Sequence, residues 1–103
     1  MRVIAIRTLK NFWKKHPTAE NSLRAWHQEA TKAKWKNHGQ LKTQFGSASI
    51  VTAKRVVFNI SGNSYRLIAD IEYRLQIIFI VWVGTHTQYD KIDVKKIGYD
   101  KAN

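Results

Sequence analysis

Arg66, His86 and Tyr89, with Asn59 beside them, are the side chains of this 103-residue chain whose types suit phosphodiester chemistry. An arginine presents fixed N–H donors to phosphate oxygens, while a histidine and a tyrosine can move protons or hydrogen-bond to sugar hydroxyls. Taken singly, each has an ordinary explanation. Arg66 can pair with Asp70 or Glu72 on its own strand face, and His86 and Tyr89 can satisfy a turn, with Asp90 capping a helical segment after it. The chemistry becomes specific only if the chain brings these groups to one place.

The stretch that does so runs from Arg55 to Asp90. Residues 55–60 and 65–73 are rich in β-branched and aromatic side chains, and the second run alternates apolar with polar, so both are predicted strands. Ser61-Gly62-Asn63-Ser64 between them is a predicted hairpin turn, with Gly and Asn accepting the positive φ such a turn needs. Pairing Ile60 with Tyr65 sets Asn59 opposite Arg66, on the face away from Leu67, Ala69 and Ile71. The next run, residues 77–83, is apolar throughout and suits a strand covered on both faces in the sheet interior. A tight turn at Arg74-Leu75-Gln76 returns it alongside its predecessor. Its exit at Gly84-Thr85-His86 therefore arrives near Tyr65 and Arg66, and Asn59, Arg66, His86 and Tyr89 share one end of the sheet.

Composition sets the partner class. The formal net charge is +11, with ten Lys or Arg against two Glu in residues 1–45 and eight against five acids thereafter. Self-repulsion at this charge disfavours compactness, and an anionic partner, above all nucleic acid, is the usual reason to carry it. A basic helix lying on a membrane surface is the competing reading. Cysteine is absent, which excludes a disulfide framework, a thiolate nucleophile and cysteine-ligated zinc. No metal-ligand spacing, Gly-rich phosphate loop or internal repeat occurs, and no cofactor is expected. MRVIAI is too short for a signal-peptide core and residues 77–83 are too few to span a bilayer, so a soluble, cytoplasmic protein of one domain, residues 1–103, is expected.

Ahead of the hairpin, Val3-Ile4-Ala5-Ile6 is a short strand candidate. Leu9, Phe12, Trp13 and His16 recur at helical spacing, and Pro17 ends that helix. Thr18 is a plausible N-cap for a second helix. In it Ala19, Leu23, Trp26, Ala30 and Ala33 form an apolar stripe, and Arg24, Lys32, Lys34 and Lys36 supply most of the charge. A helical hairpin with its apolar side on the sheet and a basic outer side follows. Residues 37–54 read as a loop with at most one helical turn near Leu41–Phe45, anchored by Phe45 and Ile50. Ile92, Val94 and Ile97 alternate with charged residues in too short a window to choose helix or strand, and the tail from Gly98 is expected to fray. Trp13, Trp26 and Trp82 are expected in the core rather than as base-stacking platforms; Trp35, between Lys34 and Lys36, could serve either role.

RVVFNISGNSYRLIADIEY followed by FIVWVGTHTQYDKID resembles the HigB-type toxins of bacterial toxin–antitoxin modules, members of the RelE superfamily of mRNA interferases. LRAWHQEATKAKW is similar to the family's second helix, so the likeness covers most of residues 8–94. The spaced patterns FNI-x-GN-x-YR and GTH-x-x-YD are long enough to be specific. The resemblance implies an α+β, RelE-like compact ribonuclease fold, with an N-terminal helical hairpin packed on a mainly antiparallel sheet and a short C-terminal helical segment. It also implies metal-free cleavage of mRNA, usually on translating ribosomes, and neutralisation by a helix-turn-helix antitoxin, with operator DNA reached only through that partner. By this likeness Arg66 binds the scissile phosphate and His86 and Tyr89 transfer protons or orient substrate, while Asn59, Asn63 and Asp90 occupy motif positions. The sequence departs from the family at Val81, where an arginine is frequent, and so carries one fewer cation near the phosphate.

The residues themselves agree with that mechanism. RNA supplies its own nucleophile, the 2′-hydroxyl, and Arg66 suits the phosphate, with Lys54 or Arg55 as auxiliary cations and His86 as first choice for acid or base. Lys32, Lys34 and Lys36 would hold RNA through phosphate contacts, and Asn59 and Asn63 would lie against it. A non-catalytic RNA- or ribosome-binding module is the alternative. A DNA-binding subunit ranks below both, since no helix-turn-helix pattern is evident.

Overall fold

The computed structural model describes residues 1–98. In chain order the elements are β1 (Arg2–Ile4), α1 (Ile6–Lys15), a 3-10 turn (Pro17–Ala19), α2 (Glu20–Lys32), α3 (His38–Gln44), β2 (Ser49–Ile50), β3 (Arg55–Ile60), β4 (Tyr65–Glu72), β5 (Ile77–Thr85) and α4 (His86–Tyr89). The strands form one sheet in the order β1-β5-β4-β3-β2. β1 runs parallel to β5, and every other neighbour is antiparallel. The α+β architecture, with helices on a mainly antiparallel sheet and a short helix after the last long strand, is the one expected.

The β3–β4 hairpin has the register read from the alternation: Ile60 faces Tyr65 and Asn59 faces Arg66. Positive φ falls on Ser61 and Gly62 rather than on Asn63. On one face of the sheet Phe58, Leu67 and Ile78 pack against Leu9, Leu23, Trp26 and Ala30 of the helices, all essentially sealed from water. Trp35 belongs here too: its indole N–H donates to Gln44 Oε1 at 3.0 Å and its ring packs on Phe45 and Phe58. That resolves its role as packing. Trp13 lies under the Arg24 guanidinium, 4.7 Å from the ring centre, a cation–π contact that covers its outer face.

Several local expectations are corrected. Thr18 does not cap α2; its hydroxyl hydrogen-bonds the Tyr65 phenol, and Ala19 holds the N-cap position without a side-chain bond. Residues 37–54 are more ordered than a loop. Asn37 accepts the Gln40 N–H at 2.9 Å and so caps the seven-residue α3, whose Leu41 is fully buried. Phe45 packs on the core as expected, but Ile50 is exposed because β2 is an edge strand.

The opposite face of the sheet carries a smaller cluster of Val57, Ile68 and Val81, covered by Ile92, Val94 and Ile97 from the chain after α4. That chain is neither helix nor strand. Arg55 holds it: Nε and Nη2 donate to the two Asp70 carboxylate oxygens at 2.8 and 2.9 Å, and Nη1 reaches the carbonyls of Val94 at 3.2 Å and Ile97. Arg55→Ala would strip a largely buried carboxylate of its two-pronged partner and release the segment, so a loss of about 2–4 kcal/mol is expected. Thermal unfolding checks this, with a fall in Tm of roughly 10 °C or more. Of the tail expected to fray, all but Gly98 lies outside the described residues.

Candidate active site at the end of the sheet

The β4–β5 register sets Arg66 opposite Gly84 and Tyr65 opposite Thr85, so α4 begins where the hairpin turn ends. Thr85-His86-Thr87-Gln88 is a capping box. The Gln88 N–H donates to Thr85 Oγ1 at 3.1 Å, and the Thr85 N–H donates to Gln88 Oε1 at 2.9 Å. The His86 N–H donates to the Ser64 carbonyl at 3.1 Å, tying this turn to the β3–β4 turn. Asp90, expected to cap a helix that followed, instead closes α4 from its C-terminal end. Thr-x-x-Gln is the sequence signal for the start of α4.

Glycine at 84 has a steric cause. A Cβ there would come within 2.3 Å of Trp82 Cη2 and 2.8 Å of Gln88 Oε1, so the indole lies where a side chain would be. Trp82 packs against the second core cluster but is only partly buried, and its ring centre is 6.3 Å from that of Tyr89.

Arg66 Cζ sits 5.8 Å from the Tyr89 ring centre, and Nη1 donates to the carbonyls of Asn63 and Tyr65 at 3.0 and 3.3 Å. The carboxylates that could have neutralised it are taken: Asp70 by Arg55, and Glu72 by Lys54. Among the described residues Arg66 has no ion-pair partner, and it is half-buried. Asn59 lies across from it and donates to the Ser47 carbonyl at 3.1 Å. Arg66, Tyr89, the exposed His86, Asn59 and Asn63 thus come together at one end of the sheet.

The remaining cations do not. Arg55 pairs with Asp70 along the strand from Arg66, and its guanidinium is consumed by the contacts above. Lys54 is ion-paired to Glu72, which holds its ammonium pKa above the ordinary lysine value. Neither is an auxiliary cation at this site. Lys32, Lys34 and Lys36 lie beyond the other end of β4, roughly 20 Å away along an eight-residue strand. They border a broad groove with Arg2 and Arg74. Val81 is the extra residue of a β-bulge, since Ile68 faces Trp82 and Ala69 faces Ile80. Its side chain is 2% exposed against Val57 and Ile68, so position 81 is a packing position and not a vacancy for a cation. Among the described residues no group of three His, Asp or Glu side chains could hold a metal ion, and no helix is long and apolar enough to cross a membrane.

Residues 19–92, which include the whole β3–α4 unit, match the family described as HigB_toxin, RelE-like toxic component of a toxin–antitoxin system. The chain is also 32% identical over 92 residues, 87% of its own length and 88% of the relative's, to the mRNA interferase toxin HigB of Escherichia coli K12. The mRNA interferases HigB of Escherichia coli O157:H7 and Shigella flexneri match to the same extent. With the spaced FNI pattern running across the β3–β4 turn and the GTH pattern at the end of β5 beside it, the chain belongs to the HigB family of RelE-like toxins of toxin–antitoxin systems.

Proposed function

We propose that this toxin is an endoribonuclease that cuts mRNA at the Arg66–His86–Tyr89 end of its sheet. The observation that carries the reading is a guanidinium with no carboxylate partner among the described residues, set against the Tyr89 ring and beside the turn that bears His86. In the reaction the 2′-oxygen bonds to the adjacent phosphorus as the bond from phosphorus to the 5′-oxygen breaks. His86 or Tyr89 takes the 2′ proton and the other returns a proton to the leaving oxygen; Arg66 stabilises the charge that accumulates on the phosphoryl oxygens. Asn59 and Asn63 shape the hairpin against the RNA. The relatives' description as mRNA interferases supports this reading. On this reading the protein acts in the cytoplasm, on messages being translated at the ribosome, under the control of a helix-turn-helix antitoxin. Primer extension on a translated message tests it: new 5′ ends are expected with the protein and none without it, together with growth arrest on expression. A protein that binds the message and leaves no new ends would instead be a non-catalytic RNA-binding module.

That second reading draws on the groove lined by Arg2, Lys32, Lys34, Lys36 and Arg74, which has no acidic residue in its wall. In the proposed toxin it holds RNA backbone away from the cut. Replacing Lys32, Lys34 and Lys36 together with alanine is expected to weaken single-stranded RNA binding for every sequence tested. It should also lower the slope of log affinity against log salt by about 2, the value for three lost phosphate contacts. Anisotropy titrations across a salt series check this.

A further inference from the structure

α4 has a second side. While Tyr89 stands against Arg66, Gln88 and Lys91 form one wall of a separate cleft of about 470 Å³, whose other wall is α1. The cleft exists because β1 pairs only with residues 77–79, leaving the later part of β5 without a strand neighbour on that side. Asn11, Phe12 and Lys15 face it from α1, with His16 at the end of the helix, and Trp82 forms part of its floor. Phe12 and His16 are stacked, ring centres 4.4 Å apart. Among the described residues Lys15 and Lys91 make no ion pair and no acid lines the cleft.

Cations flanking aromatic faces, with an amide at hand, are what proteins use to hold an unpaired nucleotide, and the volume suits a small ligand. Trp82 joins the cleft to the site: its ring lies over Gly84, the partner of Arg66, and beside Tyr89. We propose that this cleft seats a nucleotide flanking the scissile linkage, its phosphate between Lys15 and Lys91 and its base against the aromatic rings. The proposal rests on the RNA-cleaving reading above. An acidic peptide could also meet the lysines, but it would leave the stacked rings and Asn11 unused.

The test uses the full chain and a short single-stranded RNA made uncleavable by 2′-O-methyl sugars, followed by tryptophan fluorescence. Trp13, Trp26 and Trp35 are at most 7% exposed, so quenching on binding should come from Trp82 and vanish in Trp82→Phe. The paired surface changes Lys15→Ala and Lys91→Ala should weaken binding roughly tenfold or more and lower the salt slope by about 1.4. Quenching that survives Trp82→Phe, or unchanged affinity in the lysine variant, overturns the proposal. If Arg66→Ala still weakens binding in that case, the active-site reading stands and only the cleft is lost. Failure of the parent protein to bind the RNA at all overturns both, and quenching by an acidic peptide but not by RNA makes the cleft a protein seat and overturns the proposal.

Discussion

Arg66→Ala protein is expected to fold as the parent does and to lose cleavage by a factor of about 10²–10³, the usual cost of removing one group that stabilises developing charge. Folding should survive because the side chain is only half-buried, and its shorter bond goes to the Asn63 carbonyl in an exposed turn that water can reach. Among the described residues no ion pair is broken. Arg66→Lys should recover only part of the rate, since a single ammonium cannot present two parallel donors to a phosphate. Single-turnover cleavage of a translated message, read beside a melting curve for each variant, separates rate from stability. A folded Arg66→Ala protein that cuts like the parent would remove Arg66 from the site.

The second large effect concerns stability. The family resemblance made position 81 a place where an arginine is frequent, which invites the idea that Val81→Arg would strengthen catalysis. The packing leads to the opposite expectation. Val81 is sealed against Val57 and Ile68 with the chain after α4 laid over them, and the Asp70 carboxylate is already held by Arg55. Burying an unpaired guanidinium there should cost at least about 3 kcal/mol. Loss of soluble protein and a lowered Tm are the expected results. A well-folded Val81→Arg variant that cleaves faster would show that position 81 opens toward the RNA and that the second cluster has been misjudged.

What could be read from residue types alone was the part governed by strict periodicity. A strand alternates every second residue, so the apolar set of 65–73 fixed which face Arg66 occupies, and the hairpin turn then fixed its partner Asn59. The α2 stripe from Ala19 to Ala33 was legible for the same reason, and all five of its residues are buried. α3 was not, because only Leu41 is fully buried in a seven-residue helix that contains Gly39, and one buried residue makes no period. The chain beyond α4 was illegible for a different reason: Arg55, thirty-nine residues before Val94, organises it through backbone carbonyls, which leave no trace in side-chain pattern. The same blindness affected the cations. Charge counts do not say which groups are already neutralised, so Lys54 and Arg55 looked available until Glu72 and Asp70 were found beside them.

How the RNA is cut rests on the chemistry of a 2′-hydroxyl activated between Arg66, His86 and Tyr89, and the ends of the fragments record it. Mass analysis of the two products of a single cut is expected to find a 2′,3′-cyclic phosphate on the upstream fragment and a free 5′-hydroxyl on the downstream one. A 3′-hydroxyl facing a 5′-phosphate would mean that water, not the ribose, attacked phosphorus, and would contradict the roles assigned to those three side chains.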